Sequence, residues 1–193
     1  MIMSNINEFE IQDGVLVHYN GSDAEVVIPG DVTSIGAKAF RGENAYTGNK
    51  SVKSVTVPDS VTNIGQGAFQ YCSNLSSVTI PNSVSKIGDH AFSLCEQLTE
   101  IDLPESVSYI GESAFFACSN LSSITIPGGV THICDSTFEK CKNLSQVTIS
   151  DGVESVGYKS FSECSSLISI MLPDSMSRFN EARYKWGERS NTN

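Results

Sequence analysis

The chain has 193 residues, of which 39% are hydrophobic and 18% charged, enough for one domain or one short repeat array with a buried core. Twelve basic residues against 22 acidic ones give a net charge of -10, which argues against binding to nucleic acid or to anionic membranes, because both reward clustered Lys and Arg. The sequence also lacks a run of about 18 apolar residues, so we expect no membrane insertion.

The N-terminal segment is the first element along the chain. Met1 to Glu10 contains neither a basic region nor a long apolar stretch, so we predict a cytoplasmic chain, or a surface or secreted one if a signal was removed ahead of this start. Asp13-Gly14 and Asn20-Gly21 are turn signals that flank an alternating apolar stretch. We therefore predict a β-hairpin within residues 1–25 that covers the N-terminal strand edge.

A 23-residue repeat follows and dominates the sequence. One unit, from Leu75, reads LSSVTIPNSVSKIGDHAFSLCEQ, and the next begins at Leu98. Three residue types recur in register: Phe69, Phe92, Phe115, Phe138 and Phe161; Cys72, Cys95, Cys118, Cys141 and Cys164; and all six prolines, Pro29, Pro58, Pro81, Pro104, Pro127 and Pro173. A period of this length is the signature of a solenoid.

Each unit predicts one coil of that solenoid. The segment L-x-x-V-x-I-P alternates apolar and polar residues, which indicates a short strand that the proline ends. Gly88 and its equivalents are expected to permit a bend, and Ala91-Phe92 to begin a tight helical or 3-10 turn. Stacked coils then bury one another's apolar rows. The array is predicted over 26–176, with an insertion at 41–51 and a degenerate terminal coil and tail at 177–193.

The cysteines and histidines offer little support for catalysis. Equal spacing predicts that the five periodic cysteines are buried, reduced thiols, with a redox or metal role as the alternative. Cys134 occupies the glycine slot and is expected to be structural, although strained or partly exposed. His18, His90 and His132 are predicted to be surface residues rather than ligands or bases. With no nucleophile motif, metal-ligand pattern or cofactor signature, we predict a protein that is not an enzyme and needs no cofactor.

The outward face of the predicted strands is the candidate binding surface. Glu100, Asp102 and Glu105 form an acidic patch at mid-array, and Ser77, Thr79, Ser123 and Thr125 flank it on neighbouring coils. A basic or hydrogen-bonding protein partner would suit this surface. The alternative is a solvated face that is polar only for solubility.

The last residues are basic and aromatic. Arg178, Arg183, Lys185 and Arg189 surround Trp186 and could form a docking site. The alternative is that Phe179 and Tyr184 close the end of the core while the charges stay in solvent.

The repeats, with the pattern LxxITIPxSVxxIGxxAFxxC, closely resemble the BspA-like class of leucine-rich repeats over Val26 to about Pro173. The resemblance implies a right-handed β-solenoid or horseshoe with short parallel strands, 3-10 or helical turns and an N-terminal hairpin cap. It also implies a binding role, often in adhesion by bacterial surface proteins. We therefore expect a monomeric protein–protein interaction module; the alternatives are an adhesin-type fragment that binds host or bacterial ligands and, as a third reading, a hydrolase or metal enzyme.

Overall fold

The computed structural model describes residues 6–42, 44, 46–173 and 176. They form a β-solenoid of about seven turns with almost no helix, and a short 3-10 turn lies at Ile6–Glu8. The predicted terminal cap residues Phe179 and Tyr184, and the basic cluster around Trp186, lie outside the described residues.

Within the described residues, short strands recur twice in most coils. They are β1 (Phe9–Gln12), β2 (Val15–Tyr19), β3 (Glu25–Val27), β4 (Ser34–Ile35), β5 (Ser54–Thr56), β6 (Asn63–Ile64), β7 (Ser77–Thr79), β8 (Lys86–Ile87), β9 (Tyr109–Ile110), β10 (Ser123–Ile126), β11 (His132–Ile133), β12 (Gln146–Ile149), β13 (Ser155–Val156) and β14 (Ser169–Met171).

These strands build two sheet faces that run along the solenoid. The first face contains the L-x-x-V-x-I strands in two blocks, β3-β5-β7 and β10-β12-β14. The second contains the shorter strands after the proline, in the blocks β1-β2-β4-β6-β8-β9 and β11-β13. Pairing between coils is parallel and mostly follows the 23-residue register, as in Ser54 opposite Ser77 and Ile64 opposite Ile87. The predicted solenoid is confirmed. The predicted strand forms in the L-x-x-V-x-I segments of the described coils except in the one that begins at Leu98, where no strand is found.

The N-terminal segment forms an antiparallel hairpin of β1 and β2. Asp13 and Gly14 connect the strands with φ angles of 49° and 75°, as a two-residue turn with left-handed backbone at both positions requires. Because β2 pairs in parallel with β4, the hairpin extends the second sheet by two strands. The protective role of this hairpin at the solenoid end stays a prediction.

The return segment of each coil, expected as a helical or 3-10 turn, is a run of separate hydrogen-bonded turns. Successive amides bond alternately within the coil and to the next coil. The amide of Ala91 donates to the Gly88 carbonyl at 3.2 Å, and that of Phe92 donates to the Ala114 carbonyl at 2.8 Å. Two left-handed residues in each described coil after the first, such as His90 and Leu94, make this alternation possible. The turns therefore form a third hydrogen-bonded side of the solenoid.

The recurrent glycine has a different role from the predicted one. Gly88 does not have a left-handed φ, so the bend does not depend on its backbone freedom. Instead, a Cβ at Gly88 would lie 2.8 Å from the amide nitrogen of Gln66 in the preceding coil. The slot needs glycine because two backbones approach closely there.

The core consists of rows of identical side chains. The rings of Phe69, Phe92, Phe115, Phe138 and Phe161 are buried and stacked with centroids 5.1 to 5.4 Å apart. The periodic cysteines are buried free thiols, and each donates a hydrogen bond to a phenylalanine carbonyl, as Cys118 Sγ does to Phe92 O at 3.2 Å. The cysteine row thus fills space and also satisfies a carbonyl of the preceding turn.

Candidate interaction surface

The hydroxyl residues of the candidate surface lie on two regular strands. Ser77 and Thr79 project outward from β7 on either side of buried Val78, and Ser123 and Thr125 do the same on β10 around Ile124. All four are exposed. The structure places these pairs in different blocks of the first sheet, because the coil between them forms no strand.

That intervening coil carries the acidic residues. Glu100 and Asp102 are exposed on either side of Ile101, which is only 5% exposed, so both carboxylates face solvent. The backbone contacts to the neighbouring coils reach only Thr99, whose amide lies 3.5 Å from the Ser76 carbonyl and whose carbonyl accepts from Ser122 at 3.1 Å. After Thr99, the segment Glu100–Leu103 forms no backbone hydrogen bond to either neighbouring coil, and all residues of these three coils are described.

The composition of this segment accounts for the missing strand. The outward positions that hold Ser and Thr on β7 and β10 hold Glu and Asp here, and both acidic residues are poor strand formers. Two carboxylates on one short outward face also repel each other and favour full hydration. The acidic patch therefore lies in a gap of the first sheet, not on a continuous sheet.

The patch is electrostatically unpaired within the part of the chain that the structure describes. Glu105 is exposed after Pro104 on the same coil. The ion pair found among the described residues joins Lys140 and Glu163 at 3.9 Å, and none involves Glu100, Asp102 or Glu105. The coil consequently carries three exposed carboxylates that have no ion-pair partner among the described residues.

A second gap opens at Cys134. The strands β9 and β11 belong to adjacent coils but do not pair. Burial, followed by the charge of Asp89, raises the pKa of the half-buried Cys134 thiol, which also hydrogen-bonds Tyr109. Such a thiol is mostly protonated at neutral pH and is a poor nucleophile. The prediction that Cys134 is a structural, partly exposed residue agrees with this environment.

The histidines are dispersed. His18 Nδ1 lies 3.1 Å from the Ala39 carbonyl oxygen, and His132 Nδ1 lies 2.7 Å from the Ser155 hydroxyl. His18 and His90 are half-buried, and His132 is exposed. Across the described ranges, no three His, Cys, Asp or Glu side chains form a group that could hold a metal ion.

No helix among the described residues is long and apolar enough to cross a membrane.

The stacked coils, parallel strands and internal Phe and Cys rows define a leucine-rich-repeat type of solenoid. The BspA type leucine rich repeat region matches residues 16–115, 42–168 and 116–188 as six copies. The chain therefore belongs to the BspA-type leucine-rich repeat family. Proteins of this family are in general repeat scaffolds for protein interactions rather than enzymes.

Solved structures support the same architecture. A leucine-rich repeat protein of T. pallidum is 28% identical, with 97% of each chain covered and a TM-score of 0.67. One from Bacteroides ovatus is 27% identical over 84% of this chain and 49% of its own, with a TM-score of 0.59. One from Eubacterium ventriosum is 26% identical over 80% and 50%, with a TM-score of 0.56. The chain thus spans about half the length of the latter two. No curated protein sequence matches it.

Proposed function

We propose that this protein is a non-catalytic interaction scaffold that binds a basic protein partner through the gap in its first sheet. The contact surface comprises Glu100, Asp102 and Glu105, flanked by the hydroxyl residues Ser77, Thr79, Ser123 and Thr125. The observation that carries the proposal is the coincidence of unpaired carboxylates and unbonded backbone groups on one coil.

Both kinds of group favour an extended, basic segment as the partner. Carboxylates at Glu100 and Asp102 would pair with Lys or Arg side chains, and Arg offers a bidentate geometry. The amides and carbonyls of Glu100–Leu103 have no partner on the neighbouring coils, so an extended peptide backbone could bond to them.

The scaffold would keep the cost of such binding low. Buried rows of Phe and Cys on either side of the gap hold the coils in place, so little conformational entropy is lost when a partner binds. The net charge of -10 would also speed the encounter with a basic protein.

The test is affinity capture with the full chain and two charge-reversed variants. The patch variant replaces Glu100, Asp102 and Glu105 with Lys. The matched control replaces Glu96, Glu112 and Glu154, which are exposed on other parts of the coils, so that both variants change the net charge equally. Circular dichroism and thermal melting establish that all three proteins are folded.

We expect the native chain and the control variant to capture the same basic partner, and the patch variant to lose it. A partner retained by the patch variant would place the binding surface elsewhere. Loss in both variants would show that net charge, rather than the patch, governs the association.

A further inference from the structure

A cleft lies at the other end of the solenoid, between the N-terminal hairpin and the insertion at 41–51. Its volume is about 610 Å³, which is within the range of small-molecule sites. The end of β2 provides one wall, with His18 and Asn20, and the insertion provides the other, with Arg41, Asn44, Thr47 and Lys50. The sequence predicted only an insertion at 41–51 and no cleft, although its two basic residues, Arg41 and Lys50, could have indicated a binding site.

The insertion is held in place by its own hydrogen bonds. The Gly42 amide donates to the Thr47 carbonyl at 2.6 Å, and the Asn49 amide donates to the Phe40 carbonyl at 2.8 Å. The Asn49 side chain donates to the Gly21 carbonyl at 2.8 Å and so ties the insertion to the hairpin end. A Cβ at Gly48 would overlap the backbone of Tyr71 and Cys72 in the next coil, which shows how closely the insertion packs there.

Whereas the whole protein is acidic, the charged residues described in the lining of the cleft are basic. Arg41 and Lys50 line it, and neither forms an ion pair within the described part of the chain. His18 adds a further polar group: its Nδ1 must carry the proton toward the Ala39 carbonyl, because that oxygen can only accept. Its other nitrogen, Nε2, is not engaged by that bond and can hydrogen-bond a ligand hydroxyl.

The remaining lining is rich in amides and hydroxyls and poor in apolar side chains. Such a lining suits a ligand with several hydroxyl groups better than an apolar one. Arg41 and Lys50 have no ion-pair partner among the described residues, so a negative charge on the same ligand would complement them.

We propose that this cleft binds an acidic monosaccharide, with Arg41 and Lys50 on the anionic group and Asn20, Asn44 and His18 on the ring hydroxyls. A sugar carboxylate and a sugar phosphate share this chemistry. The site is separate from the acidic patch and does not depend on the proposed protein partner.

Isothermal titration calorimetry on the full chain tests the proposal with four probes: glucuronate, glucose 6-phosphate, glucose and inorganic phosphate. The variant Arg41→Gln/Lys50→Gln removes the charges of the cleft. The matched control Lys53→Gln/Lys142→Gln removes two exposed lysine charges that do not line it.

We expect at least one of the two charged sugars to bind, and glucose to bind about 10-fold more weakly or not at all. The cleft variant should weaken that binding about 10-fold or more, while the control variant binds as the native chain does. Comparison of glucuronate with glucose 6-phosphate identifies the preferred anionic group. The proposal would be overturned if inorganic phosphate bound as tightly as the better sugar, or if the cleft variant bound that sugar as the native chain does. It would also be overturned if neither charged sugar bound at about 10 mM.

Discussion

Two contacts between successive coils, one with glycine in the recurrent slot and one with cysteine, show what holds this solenoid together. In the regular contact, the Gly111 amide donates to the Ile87 carbonyl at 2.9 Å, and β8 pairs with β9. At the next contact Cys134 replaces the glycine, no equivalent bond joins it to Ile110, and β9 and β11 stay unpaired, although every residue of both coils is described. A Cβ in this slot has no room against the preceding backbone, so the second sheet opens.

The opening does not spread across the coil. Between the same two coils, the Phe115 amide still donates to the Thr137 carbonyl at 2.9 Å, and the Phe115 and Phe138 rings stack at 5.4 Å. The aromatic row and the hydrogen-bonded turns therefore hold successive coils together, whereas either sheet can be interrupted locally. The gap at Glu100–Leu103 is also a local interruption of a sheet between coils that stay stacked. Its cause is different, because strand propensity and charge account for it rather than steric overlap.

The largest effect is expected from the aromatic row. Phe115→Ala removes a buried ring stacked between Phe92 and Phe138 and should lower the free energy of unfolding by about 3–5 kcal/mol. Thr125→Ala, on the exposed face, should change it by less than about 0.5 kcal/mol. Urea denaturation measures both; similar small losses in the two variants would mean that the ring row does not carry the stacking.

A cysteine placed in a regular slot should reproduce the gap. In Gly88→Cys the new Cβ would lie 2.8 Å from the Gln66 amide nitrogen, so we expect a loss of about 1–3 kcal/mol in the free energy of unfolding. Amide hydrogen exchange should accelerate at residue 88, whose amide donates to the Ile64 carbonyl.

The reciprocal variant is the control for this prediction. Cys134→Gly should slow exchange at the amide of residue 134, because the two coils can then close. The entropy cost of glycine, about 0.5–1 kcal/mol, should offset most of the gain in stability. Unchanged exchange in both variants would show that the slot residue does not determine whether the sheet is closed.

The buried cysteine row should make the protein sensitive to alkali. Burial raises the pKa of the Cys118 thiol from 9.0 to about 12. Between these values the unfolded chain loses the proton and the folded chain keeps it, so stability is fully present below pH 9 and falls as the pH rises toward 12.

Without this thiol, in Cys118→Ala, the free energy of unfolding should fall less steeply with pH. The difference from the native protein is at most about 1.4 kcal/mol per pH unit above pH 9. Urea denaturation at pH 8 and pH 10 gives the comparison, with Ser122→Ala, an exposed residue of the same coil, as the control. An identical pH dependence in the native protein and Cys118→Ala would contradict the assignment.

Much of the architecture could be predicted from residue spacing. The prolines in one slot predicted the strand ends, and the 23-residue spacing of Phe and Cys predicted rows that the structure shows as stacked rings and buried thiols. Periodicity is sufficient for this because each coil can bury its apolar residues only against an equivalent coil. The candidate acidic surface could be located on the outward face for the same reason.

Other features depended on the distances between coils. The amino-acid sequence determined the repeat, its register and which side chains face inward, since these follow from alternation and period alone. Only the tertiary structure decided that the glycine slot is a close approach of two backbones, that Cys134 opens one sheet, and that the hairpin and insertion form a cleft lined by Arg41 and Lys50. The physical reason is that each depends on how far apart two chain segments lie, and segments distant in sequence acquire that separation only when the coils stack.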